Sequence, residues 1–104
     1  GRMEIFDRNG QVQKAFPVPG WRREVFSEPQ AAVDRDGSVW VTVPLEKEVR
    51  HYAADGKLLR TIKAKETPEA TWDKPMGICL GPSGNALYVT DLAGQVLRLA
   101  LPPG

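Results

Sequence analysis

The chain has 104 residues, with 14 Lys and Arg balanced by 13 Asp and Glu. That length holds one small domain, and a balance this even, with no run of either sign, leaves no electrostatic footprint for nucleic acid or anionic lipid. The single cysteine, Cys79, excludes an internal disulfide, and no apolar run nears the roughly 20 residues that cross a bilayer.

No signal peptide opens the chain, so a soluble piece is expected, and Gly1-Arg2-Met3 reads as a remnant ahead of a fragment. Ten glycines and nine prolines punctuate the sequence, and no stretch free of both is longer than Leu45 to Asp55 or Lys57 to Thr67. Helical spacing has little room to develop; short Val, Ile, Leu, Tyr and Trp segments between the breakers read as strands.

Met3 to Asp7 and Val12 to Phe16 flank the turn signal DRNG, which predicts a tight hairpin with Gly10 at positive φ. Residues 17–29 form a long polar connection broken by Pro17, Pro19 and Gly20. Ala31 to Asp34 and Ser38 to Val43 are joined by DRDG, and Pro44 to Lys47 lead into Val49 to Tyr52. AADG turns the chain into Leu58 to Lys63, and a second long connection follows over residues 64–75. Then come Gly77 to Leu80, the turn GPSGN, Leu87 to Asp91, a Leu-Ala-Gly link, and Val96 to Leu101, stopped by Pro102 and Pro103.

These segments repeat with a period of about 46 to 48 residues: Phe6 answers Tyr52 and Leu99, Pro29 answers Pro75, Trp40 answers Tyr88, and Thr42 answers Thr90. A four-stranded unit of that period is the size of a propeller blade. In Ser38 to Val43 the valines point one way and Trp40 and Thr42 the other, so both faces need cover, as they do when blades stack. The expected fold is therefore all-β, with antiparallel four-stranded propeller blades, about two and a quarter of them, and no substantial helix. Strands within a blade are lettered a to d from its inner edge. Residues 1–28 hold a partial blade (c, d) and a long loop, residues 29–74 a complete blade, and residues 75–104 a partial blade (a, b, c). A closed propeller has roughly four to eight blades, so the chain is expected either to be part of a longer propeller or to assemble as a homo-oligomer, three copies giving about six blades.

Pro75, Gly77, Ile78, Gly84, Tyr88, Val89, Thr90 and Asp91 form a pattern that resembles the NHL-repeat β-propellers; Pro29, Val33, Asp34, Gly37, Val39, Trp40, Val41 and Thr42 repeat it. The resemblance implies a binding platform, since members of that family mostly bind protein or nucleic acid; the leading expectation for this chain is a non-enzymatic module that binds a protein or saccharide, in a bacterial extracytoplasmic setting over a cytoplasmic one. Two other readings stand beside it: part of a six-bladed, metal-dependent hydrolase resembling gluconolactonase and regucalcin, and a purely structural assembly module.

Strand order places the tight a–b and c–d turns at one end and the longer connections at the other. Loops on a rigid scaffold carry function, so the long-loop end is where binding is expected. Trp21, Arg22 and Arg23 in one loop and Trp72, Asp73 and Lys74 in its equivalent set aromatic anchors beside charge, as at interface hot spots. The competing expectation is that both tryptophans fold back to seal the blades. Asp34 to Ser38 has oxygen ligands at alternate positions like a Ca²⁺ loop, but its twin at Leu80 to Gly84 has no carboxylate, so a hairpin turn is the better reading. His51 is the only histidine, and Cys79 sits in an inner strand between Ile78 and Leu80. No catalytic residue, metal site or cofactor site is expected from these residues.

Overall fold

The computed structural model describes residues 2–21, 29–66 and 70–101. Nine strands run through them: β1 (Arg2–Phe6), β2 (Val12–Pro17), β3 (Ala31–Val33), β4 (Val39–Val43), β5 (Glu48–Tyr52), β6 (Leu58–Lys63), β7 (Pro75–Leu80), β8 (Ala86–Asp91) and β9 (Gln95–Ala100). They pair antiparallel in three sheets, β1-β2, β3-β4-β5-β6 and β7-β8-β9. The only helical element among the described residues is one 3-10 turn, Pro44–Glu46. The fold is all-β, a complete four-stranded blade flanked by two partial ones.

The tight turns follow from their chemistry. Asp7 Oδ1 accepts the amides of Asn9 and Gln11, and Gly10 takes φ +80°, a conformation that costs glycine nothing. Asp34 and Ala53 open equivalent turns, with Gly37 at +86° and Gly56 at +94°. All of these turns, with Gly81–Asn85, lie at one end of the blades.

Alternation along the strands builds two cores. Val39, Val41 and Val43 of β4 join Phe16, Val18 and Tyr52 between the first and second sheets. Trp40, from the opposite face of the same strand, joins Val49, Ile62, Leu87, Val89 and Leu99 between the second and third. Every residue of β4 is buried, which is why this strand reads as nearly continuous apolar sequence. Each sheet thus has a back face toward the preceding blade and a front face toward the following one. Cys79, expected to be enclosed because Ile78 and Leu80 flank it, is exposed: those neighbours point back into the core while Cys79 points to the uncovered front of the third sheet.

Candidate functional site

At the long-loop end, the inner strands of the second and third blades begin side by side. Gln30 donates its amide to Thr42 Oγ1 at 2.9 Å, and Thr42 Oγ1 donates to the Met76 carbonyl at 2.8 Å. Thr42 is fully buried, so one hydroxyl stitches the two strand starts together. Thr90 repeats the arrangement in the third blade, accepting the Gly77 amide at 2.9 Å. Gly77 is required there, since a Cβ would stand 2.5 Å from Thr90 Oγ1. Gln30, Met76, Gly77, Cys79, Tyr88 and Thr90 line an open cavity of about 510 Å³ that begins at these strand starts and runs along the front of the third sheet.

The loop residues singled out in sequence are distributed as follows. Trp72 is buried in the core between the second and third blades, and its indole N–H donates to the Lys47 carbonyl at 2.9 Å. Trp21 is half-buried against the other core and donates to the Thr42 carbonyl at 2.8 Å. Asp73 is exposed and meets Lys47 Nζ at 3.2 Å, an exposed pair that contributes little. The amides of Asp73 and Lys74 donate to Asp91 at 2.8 and 2.7 Å, so the loop is tied to the end of β8. Arg22 and Arg23 lie outside the described residues.

Burial acts most strongly on the buried Asp91 carboxyl and would raise its pKa, but bonds from Gln95, Asp73, Lys74 and Ala93 outweigh it and hold the group below the ordinary carboxylate value.

A polar network that the sequence reading did not assemble lies at the opposite end. His51 stacks on Trp40 with ring centroids 4.0 Å apart and planes 5° from parallel. His51 Nε2 is 2.7 Å from Ser38 Oγ, which is 2.5 Å from Asp36 Oδ1. Asp36 is held below the ordinary value by these bonds from Ser38, so it is ionised and accepts; the serine hydrogen therefore points to it, and His51 Nε2 must donate. Burial pushes the His51 pKa down, against the pull of Asp36 and Asp34. The acceptor of the serine proton is a carboxylate held below its ordinary value, hence a weak base, while His51 donates and Ser38 is buried, so the network braces the turn against β5. Its detection required the β4–β5 register, which sets Trp40 opposite His51. The Asp34–Ser38 segment is a hairpin turn, and no group of three or more His, Cys, Asp or Glu able to hold a metal occurs among the described residues.

A family model described as the SMP-30/gluconolactonase/LRE-like region matches residues 6–94. No curated protein matches the sequence. Among solved structures, virginiamycin B lyase from Staphylococcus aureus, as the selenomethionine-substituted protein, aligns with TM-score 0.54 and 16% identity over 98% of this chain and 35% of that one. A streptogramin B lyase aligns with TM-score 0.53 and 17% identity over 98% and 34%. The catalytically inactive variant of the Staphylococcus aureus lyase with quinupristin gives 0.53 and 16% over 99% and 35%. The chain thus spans about a third of the length of these proteins, and at such identity the likeness shows the fold alone.

The match overturns the NHL-repeat reading and the non-enzymatic module it implied. The physical reason is that the Pro-x-Gly start, the Gly turn and the aromatic-Val step encode strand entry, hairpin geometry and blade packing, which propeller families share. Read over residues 6–94, the chain belongs to the SMP-30/gluconolactonase/LRE-like family.

Proposed function

We propose that the chain forms part of a six-bladed hydrolase or lyase that opens a cyclic ester at the channel mouth, with a sugar-derived lactone as the simplest substrate class. The family match over residues 6–94 carries this reading. Nine strands are about three eighths of the roughly 24 in six four-stranded blades, in keeping with the third of the aligned lyases that the chain covers.

Within such a ring this chain supplies a neutral stretch of the mouth. Gln30 offers an amide that can donate to or accept from a substrate hydroxyl, and Met76 offers apolar contact. A divalent metal of the kind held by gluconolactonase-like enzymes does not fit these residues: a thioether is a soft donor, one amide oxygen is not a hard cation site, and no carboxylate cluster stands among the described residues. In the proposed reading the acidic groups stand on the other blades, and Gln30 and Met76 shape and orient.

The test is lactone opening followed by pH-stat on the propeller with all its blades, using gluconolactone with and without Ca²⁺, Mn²⁺ or Zn²⁺. Turnover above the buffer rate is expected, with Gln30→Ala raising KM several-fold while changing kcat little. No turnover with any of these ions, in a ring shown to be intact by its mass, would refute the reading.

A further inference from the structure

Two open sheet faces of this chain are the two halves of an interface that the chain already forms internally. Inside the molecule, the front of β3–β4, carrying Ala32, Trp40 and Thr42, covers the back of β7, carrying Ile78 and Leu80. The pairings Ala31↔Val41, Ala32↔Trp40 and Val33↔Val39 recur as Ile78↔Val89, Cys79↔Tyr88 and Leu80↔Leu87. Position by position, the uncovered front of the third sheet therefore presents Cys79, Tyr88 and Thr90 where the second sheet has Ala32, Trp40 and Thr42. On the uncovered back of β3, Ala31 and Val33 stand where β7 has Ile78 and Leu80. Val33 is 68% exposed, whereas Leu80 in the equivalent place packs on the core.

We propose that these faces join head to tail between copies of this chain, the front of β7–β8 on one copy covering β3 of the next. The repeated stitch supports a second copy as the occupant. Thr42 Oγ1 donates to the Met76 carbonyl, whereas Thr90 Oγ1 accepts the Gly77 amide and donates to nothing among the described residues. The Gln30 and Gly77 amides both donate to the blade's threonine, so Pro29 stands where Met76 does and the Pro29 carbonyl of a second copy is the matching acceptor. Such a contact is heterologous and closes by rotation, and two blades per copy close a six-bladed ring with three copies.

One strand per junction must yield, because β9 and the incoming β1 both claim the place beside β8. β9 pairs with β8 at six positions and buries Leu99 in the core. β1 pairs at five positions, with a register shift, and buries no residue fully. β1 is the strand that peels away, leaving β2 of the incoming copy to pair with β9. The junction rests on blade geometry alone and concerns the chain by itself: every blade of such a trimer repeats this sequence, so the trimer is a different assembly from the ring with further blades on which the catalytic reading places its acidic groups.

The experiment is sedimentation equilibrium over a range of concentrations. The chain of 11.5 kDa is expected to reach three times its mass. Val33→Glu blocks the back face and Tyr88→Glu the front, so each variant alone is expected to be monomeric. Mixed in equal amounts they have one sound junction and are expected to stop at twice the monomer mass, while removal of residues 1–10 should tighten the wild-type association. Near-ultraviolet circular dichroism of the buried Trp40 and Trp72 confirms that the variants are folded. A folded wild-type chain that stays monomeric at all concentrations would overturn the proposal and leave the following blade of a longer chain as the occupant. Folded variants that keep the full mass, or a mixture that does not pair, would overturn it equally.

Discussion

Trp72→Ala tests whether the long-loop tryptophan is a packing element. The side chain is 1% exposed in the core shared by the second and third blades. Burying about 200 Å² of aromatic side chain at about 25 cal/mol per Å² amounts to ~5 kcal/mol, and truncations of this kind measure about 3–5 kcal/mol. The lost indole donor adds little, because the Lys47 carbonyl also accepts the Ala64 amide at 3.1 Å. Trp72→Phe keeps most of the apolar bulk and is expected to cost about 1–2 kcal/mol. Against a total stability of about 5–15 kcal/mol, the alanine variant removes a large share. In urea unfolding followed by far-ultraviolet circular dichroism at fixed protein concentration, a slope of about 2 kcal/mol per M turns a 4 kcal/mol loss into a midpoint lower by about 2 M. Trp21→Ala, at a half-buried position, should lower it by less than half as much. A Trp72→Ala midpoint within about 0.5 M of wild type would refute the packing role and restore the indole as an anchor for a partner.

The His51 pKa is lowered in the folded state, so the unfolded chain binds the proton more readily and stability falls as pH drops below the unfolded value of 6.5. Melting temperature measured between pH 8 and 5 should show this decline, and His51→Gln should flatten it; parallel profiles would sink the assignment. Asp36 and Asp91 are also lowered, and their contributions are present above the unfolded value of 3.8 and disappear at lower pH, which separates the two windows. Asp91→Ala should cost about 3 kcal/mol, since it strips bonds from Asp73, Lys74 and Gln95, and hydrogen exchange at the Asp73 and Lys74 amides should accelerate well ahead of global unfolding. Gly10→Ala and Gly56→Ala both force an alanine into positive φ, but a Cβ at Gly10 meets nothing within 4 Å while one at Gly56 lies 2.8 Å from Phe16 Cβ. Calorimetry should find about 1 kcal/mol lost at Gly10 and at least twice that at Gly56; equal losses would mean that the first and second blades do not meet at that turn.

The blade architecture was legible because its signals are local. The Asp-x-x-Gly turns and the alternating valines in β4 are each contained within a dozen residues, their echoes at Pro29/Pro75 and Trp40/Tyr88 recur one blade later, and the nine observed strands fall where those signals place them. Family membership was harder to read for the same reason: Pro75, Gly77 and Tyr88 answer to the demands of a blade, and any propeller makes those demands, so the pattern that identifies the fold is silent on chemistry. The side-chain relations that matter at the strand starts and at the blade junction are not local. Thr42 reaches Met76 across 34 residues, and His51 meets Ser38 only through the pairing of β4 with β5. Trp21 and Trp72 have identical sequence logic as exposed anchors or as interior seals, and what separates the two is which residues close over them: Val49, Ile62 and Leu99 on three different strands enclose Trp72. The open faces show the converse. A sequence repeat states that each blade needs a neighbour on both sides, and the exposed Val33 on β3 and Val96 on β9 mark where the chain has yet to find them.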